Sequence, residues 1–254
     1  MLVDRGLTPI CVAAALALSA PAALAALPDE IQVYTDDLEA PGEHGVELHI
    51  NTTPKGRAAP DYPGEVVPHR GLRVTPELSF GLAPRWDAGI YLPFVRSGEG
   101  ADYFAGPRLR LKWMPLRPPE GGTGAFAGIN WELSFVQQRF EAARRTAEIR
   151  PIVGYRGAAW LFAFNPIIET DLAGQHKGVL MFAPAFKAAR TFSHGRALGA
   201  EYYADLGRLS HFAPRSEQSH VLYAVLDTER VNFGIGRGLT GAADRWTIKT
   251  IISF

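Results

Sequence analysis

The chain has 254 residues, with 26 basic and 26 acidic side chains and a formal net charge of zero. At 47% hydrophobic and 20% charged, it is not a disordered chain, and its length suits one or two ordinary domains. It lacks the basic excess of a nucleic-acid binder, so no nucleic-acid partner is expected.

Residues 1–25 read as a signal peptide. Arg5 supplies the positive end, with Asp4 beside it weakening the pattern. The run "ICVAAALALSAPAALA" supplies the apolar stretch, and Ala23-Leu24-Ala25 fits a small-residue cleavage site. The alternative is a retained membrane anchor, for which the run is short. The only cysteine, Cys11, lies inside this stretch, so the processed chain is expected to contain none and to use no disulfide. Residues 26–44 form a leader before the first strand. They are either flexible or fold back as a periplasmic plug, with Asp36, Asp37, Glu39 and Glu43 meeting cations inside.

From residue 45 to 254 the pattern has period two. "VELHINT" sets Val46, Leu48 and Ile50 against Glu47, His49 and Asn51. "LRVTPELSFGL", "INWELSF", "AEIRPIVGY", "LGAEYYADL" and "RWTIKTIISF" repeat the alternation. In "GPRLRLKWMP" a strand sends Arg108, Arg110 and Lys112 to one side and Leu109, Leu111 and Trp113 to the other. The spacing predicts twelve strands near 45–53, 70–82, 85–95, 104–115, 124–137, 144–155, 158–169, 178–190, 195–207, 219–227, 230–238 and 244–254. Soluble strands usually have about five or six residues, whereas about ten tilted residues match a bilayer. Short connections ("APR", "RGA", "TFSHG", "DTER") alternate with longer polar ones, the arrangement of an outer-membrane barrel with its short turns in the periplasm. The fold class read from this pattern is all-β: a transmembrane, antiparallel, up-and-down β-barrel of about 12 strands, expected to be a monomer with lipid outside and water or ion pairs inside.

Aromatic residues near strand ends fit two interfacial girdles: Trp86, Phe94, Tyr103, Trp113, Trp131, Phe135, Tyr155, Trp160, Trp246 and Phe254. The terminal Phe254 is expected to be read by the outer-membrane assembly machinery. The segment "EIQVYTDDLEAPGEHGVELHINTT", followed by "PELSFGLAPRWDAGIYLPF", resembles outer-membrane proteins grouped with the meta-pathway phenol-degradation family. That resemblance implies a monomeric barrel and transport of small apolar or aromatic compounds.

By parity the lumen receives Arg73, Arg108, Arg110, Lys112, Arg150, Lys187, Arg245 and Lys249. The acids on the same face are Glu47, Glu77, Asp87, Glu132, Glu148, Glu169, Glu201 and Asp205. Adjacent strands bring opposed side chains to about 5 Å, so cross-strand ion pairs are available. The residues expected to govern passage are Arg108, Arg110, Lys112, Arg73, Glu77, Asp87, Glu132, Glu148, Arg150, Glu201 and Lys249. An unpaired remainder of the Arg108–Arg110–Lys112 ladder would favour anions. The expected function is a channel or transporter for small solutes in the cell outer membrane. The competing reading is a sealed structural barrel with an ion-paired lumen.

A lipid hydrolase is a further alternative. It would use Ser193-His194, or Ser219-His220 with His211 and Glu217, but neighbours on one strand point to opposite faces. An adhesion role through the loop at 54–69 is another, although that loop shows no apolar anchor cluster. No metal-ligand spacing is recognisable, and no cofactor is expected.

Overall fold

The computed structural model describes residues 30–254 except 120, 175 and 194. The expected signal peptide and His194 lie outside the described residues. In chain order the strands are β1 (His44–Lys55), β2 (Leu72–Ala83), β3 (Trp86–Tyr91), β4 (Phe94–Arg96), β5 (Asp102–Phe104), β6 (Arg108–Leu116), β7 (Gly124–Ser134) and β8 (Thr146–Arg156). They continue with β9 (Trp160–Asp171), β10 (Leu180–Ser193), β11 (Arg196–Asp205), β12 (Gly207–Arg208), β13 (His211–Phe212), β14 (Ser219–Asp227), β15 (Val231–Gly238) and β16 (Trp246–Ser253).

Twelve of these strands form a closed antiparallel barrel. Each pairs with its neighbour, and β1 pairs with both β2 and β16, so the cylinder leaves no free edge. Closure satisfies the backbone groups that hydrocarbon cannot. The other four strands make two small hairpins, β4–β5 and β12–β13, at the long-loop end. The first exists because Pro93 lacks an N–H and interrupts the ladder after β3. Leu92 still donates to Pro76 O at 3.0 Å, and β4 resumes pairing with Leu72–Val74. The alternation of short and long connections in the sequence survives in the fold: two residues separate β10 from β11, whereas sixteen separate β1 from β2.

The wall obeys the parity of the sequence. Leu109, Leu111, Trp113, Leu133, Ile149 and Phe162 point outward and are exposed. Arg110, Lys112, Glu132, Glu148 and Arg150 alternate with them and are buried inside. Charge is therefore hidden and hydrocarbon displayed, the reverse of a water-soluble sandwich. Trp86 stacks on Trp113 and Trp131 along the outer wall, at centroid distances of 5.6 and 6.1 Å. Two residues depart from the expected pattern. Tyr103 does not join an outer girdle; its ring packs edge-on against the buried Phe140 at 5.6 Å. Arg245 does not enter the lumen, because β16 begins one residue later and leaves it exposed in the preceding loop.

Candidate functional site

The inward face of β6 meets acids from β2 and β3. Arg110 Nε donates to Glu77 Oε1 at 2.6 Å, and its guanidinium also pairs with Asp87. Lys112 Nζ lies 3.5 Å from Asp87. Arg110 reaches Glu77, two strands away, because Gly89 stands between them with no side chain. A Cβ there would sit 2.7 Å from Arg110 Nε. Arg108, nearer the long-loop end, pairs with Glu141 of the 135–145 loop. The three cations of this ladder thus each have an acidic partner, two from strands and one from a loop.

Two further clusters complete the lumen. Arg150 on β8 donates from Nε to Glu148 at 2.6 Å and lies 3.9 Å from Glu132 and 3.5 Å from Glu30. Across the barrel, Lys187 bridges Glu201 and Asp227 at 3.0 and 2.9 Å. Lys249 also pairs with Glu201, and opposite Gly234 leaves it room, since a Cβ would lie 3.0 Å from Lys249 Cε. Removing charges from water costs several kcal/mol each unless partners compensate, which is why they occur in hydrogen-bonded groups. Among the described residues Glu169 and Asp205, on the lumen face near the long-loop end, join none of these ion pairs; the former is exposed and the latter accepts from Gly207 N at 2.9 Å. Arg73 is buried beneath the loops with its guanidinium 5.7 Å from the Phe140 ring.

Residues 30–39 run inside the barrel. Asn165 grips Tyr34 by its main chain: Oδ1 accepts from Tyr34 N at 2.7 Å, and Nδ2 donates to Tyr34 O at 3.1 Å. The Tyr34 hydroxyl bonds to Tyr91 at 2.5 Å, and its ring lies 4.4 Å from Arg150 Cζ and 5.3 Å from Lys112 Nζ. Lys249 Nζ donates to Ile31 O at 2.9 Å, Asp36 pairs with Arg156, and Ser79 donates to Glu39 at 2.9 Å. Val33 and Tyr34 pack on Met114, Phe126, Ile152 and Ile167, while Ile31 packs on Tyr223 and Val225. The strap therefore lies along the β6–β10 wall and crosses toward β14 and β16 at its inner end.

Beside the strap lies a cavity of about 580 Å³. Gly195 and residues 228–230 of the short turns line its mouth; Glu77, Asp87 and Glu201 line its depth. The opposite end is covered by loops. Val66 N bonds to Arg139 O at 2.8 Å, Arg57 N to Asp244 at 2.8 Å, and Arg57 pairs with Glu65 at 2.7 Å. Val66 also packs on an apolar cluster of Val95, Ala105, Val136 and Phe140, so the 56–71 loop does carry an apolar anchor, contrary to expectation.

Sequence reasoning did not single out Asn165, Tyr34, Tyr91, Arg156, Asp227 or Glu141. Asn165 had a signal, a lone inward amide in the apolar run "WLFAFNPII"; the others depend on chain crossings or loops. The Ser219-His220 pair is not assembled. His220 Nδ1 bonds to Tyr202 at 2.5 Å and Nε2 to Gln218 at 2.8 Å.

The chain matches no protein-family model and no curated protein. Its fold is similar to that of an outer membrane channel from Pseudomonas putida F1, with a TM-score of 0.55 and 12% identity over 89% of this chain and 100% of that one. A bacterial polysaccharide outer membrane secretin aligns at 11% identity over 85% of this chain and 99% of that one, with a TM-score of 0.37. What the first likeness adds is an independent instance of this fold, a barrel wall built in the same way.

Proposed function

We propose that the protein is an outer-membrane channel for small polar solutes, held closed in this state by its own N-terminal strap. The observation that carries the reading is the cavity that enters from the short-turn mouth and runs against strap residues Gln32–Thr35 and Asp37–Glu39. The strap is held by side chains of Asn165, Tyr91, Arg150 and Lys249, not by strand pairing. Side-chain grips can release without unzipping the barrel. The lumen lining is ionic, which suits polar solutes better than the apolar or aromatic compounds implied by the meta-pathway phenol-degradation resemblance. Short turns on the cavity side support a periplasmic mouth, and the 76% exposure of Phe254, the residue after β16, supports its recognition by assembly factors.

The runner-up is a sealed structural barrel, favoured by the pairing of Arg108, Arg110 and Lys112. That pairing also removes the basis for an anion screen on this ladder. Planar-bilayer recording separates the readings. The full chain should conduct rarely, and deletion of residues 30–38 should give steady openings. A deletion variant that folds and inserts yet never conducts would establish the sealed barrel instead.

A further inference from the structure

Carboxylates outnumber cations in the middle of the lumen. Arg110 and Lys112 bridge to Glu77 and Asp87, and Arg150 to Glu30, Glu132 and Glu148, three cations against five acids. Glu47 is a sixth acid, whose ion-pair neighbour among the described residues is His49 at 3.7 Å. Such an excess in a buried site calls for further positive charge, supplied either by protons or by a bound cation.

The excess has a focus on β1 and β2. His49 is fully buried, and its Nδ1 meets no hydrogen-bond partner among the described residues. Its Nε2 points between two carboxylates, 3.2 Å from Glu77 Oε2 and 3.7 Å from Glu47 Oε2. The other oxygen of each carboxylate is held from behind. Ser253 Oγ donates to Glu47 Oε1 at 2.7 Å, and Arg110 Nε donates to Glu77 Oε1 at 2.6 Å. A hydrogen bond to one carboxylate oxygen fixes the direction of the other, as at metal sites where such bonds orient the ligands. The three ligand atoms, two of which (His49 Nε2 and Glu77 Oε2) share a hydrogen bond at 3.2 Å, lie within 4.8 Å of one another. Bonds of about 2.0–2.1 Å in a tetrahedral site separate ligand atoms by roughly 3.4 Å, close to the two distances from Nε2. Glu47 and Glu77 also line the cavity, which provides an entry path and room for a water as a further ligand.

We propose that Glu47, His49 and Glu77 form a site for a divalent transition-metal ion in the lumen wall, reached from the short-turn mouth. One imidazole and two carboxylates suit zinc or a neighbouring first-row ion better than calcium, which takes more oxygen ligands. The ion supplies the positive charge that the surrounding acids lack and ties β1 to β2 through their side chains. Protons compete for all three ligands, so affinity falls as the pH is lowered.

The test uses the full barrel, purified without an affinity tag and stripped with a chelator. Zinc is titrated by calorimetry at neutral pH, and copper(II) is added separately for electron paramagnetic resonance. The expected result is one zinc per barrel, weakened about tenfold or more by His49→Ala and by Glu47→Gln. The copper spectrum should show coupling to a single nitrogen that His49→Ala abolishes. Heat-modifiable gel mobility checks that each variant is folded. If His49→Ala fails to fold, Glu47→Gln, which retains an oxygen for Ser253, decides the matter. Absence of stoichiometric zinc binding to the native barrel, or binding that Glu47→Gln leaves unchanged, overturns the proposal.

Discussion

Asn165→Ala should release the strap while leaving the barrel intact. The Asn165 amide is fully buried and makes both of its bonds to the main chain of Tyr34, at 2.7 and 3.1 Å. Alanine would leave a buried N–H and a buried C=O without those partners. Each orphaned group costs about 1–3 kcal/mol, and partial relaxation brings the pair to about 2–4 kcal/mol. The undocked strap recovers its bonds from water, so the loss falls on the docking equilibrium and not on the cylinder. With about 1.4 kcal/mol per factor of ten, the undocked population rises roughly 30- to 700-fold. The assay is thiol labelling of a Val33→Cys reporter, a strap residue buried against the barrel wall at 3% exposure, in a Cys11→Ser background. The labelling rate should rise by that factor in Asn165→Ala, with the heat-modifiable gel shift of the folded barrel preserved. An unchanged rate in a folded variant would refute the claim that these two bonds hold the strap.

Three further outcomes follow from the same geometry. Leu111→Arg places a charge on the lipid face opposite Ala88 and Trp131 and should lower the unfolding free energy in lipid by about 2–4 kcal/mol, read from reversible denaturant titration. Lys249→Met removes one of two cations from Glu201 and the donor to Ile31 O; the same titration should show a loss of about 3–5 kcal/mol, and a neutral result would mean that Lys187 alone satisfies Glu201. Burial raises the carboxyl pKa of Asp244, in the loop before β16, against the opposing backbone bond from Arg57. The folded state then holds that proton more tightly than the unfolded one. Its contribution to stability is greatest below the ordinary aspartate pKa and declines as the pH rises through the raised value. Asp244→Asn should flatten the dependence of the urea midpoint on pH across that window.

Alternation gave each strand one apolar and one polar face, which a soluble sandwich shares; strand length and the short-and-long alternation of connections specified the membrane cylinder. Parity likewise predicted that Arg73, Arg110, Lys112, Arg150 and Lys249 turn inward, since each lies inside a strand in register with its neighbours. It failed at Arg245, where a one-residue difference in the start of β16 decides whether parity applies, and at Tyr103, which the β4–β5 hairpin turns toward Phe140. Partners were a different matter. That Arg110 crosses Gly89 to reach Glu77, that Glu141 returns from a loop to Arg108, and that Tyr34 lies between Lys112 and Arg150 all join residues far apart in the chain. Local pattern tells a side chain which way to face; closure of the ring and the path of the strap determine what it meets there.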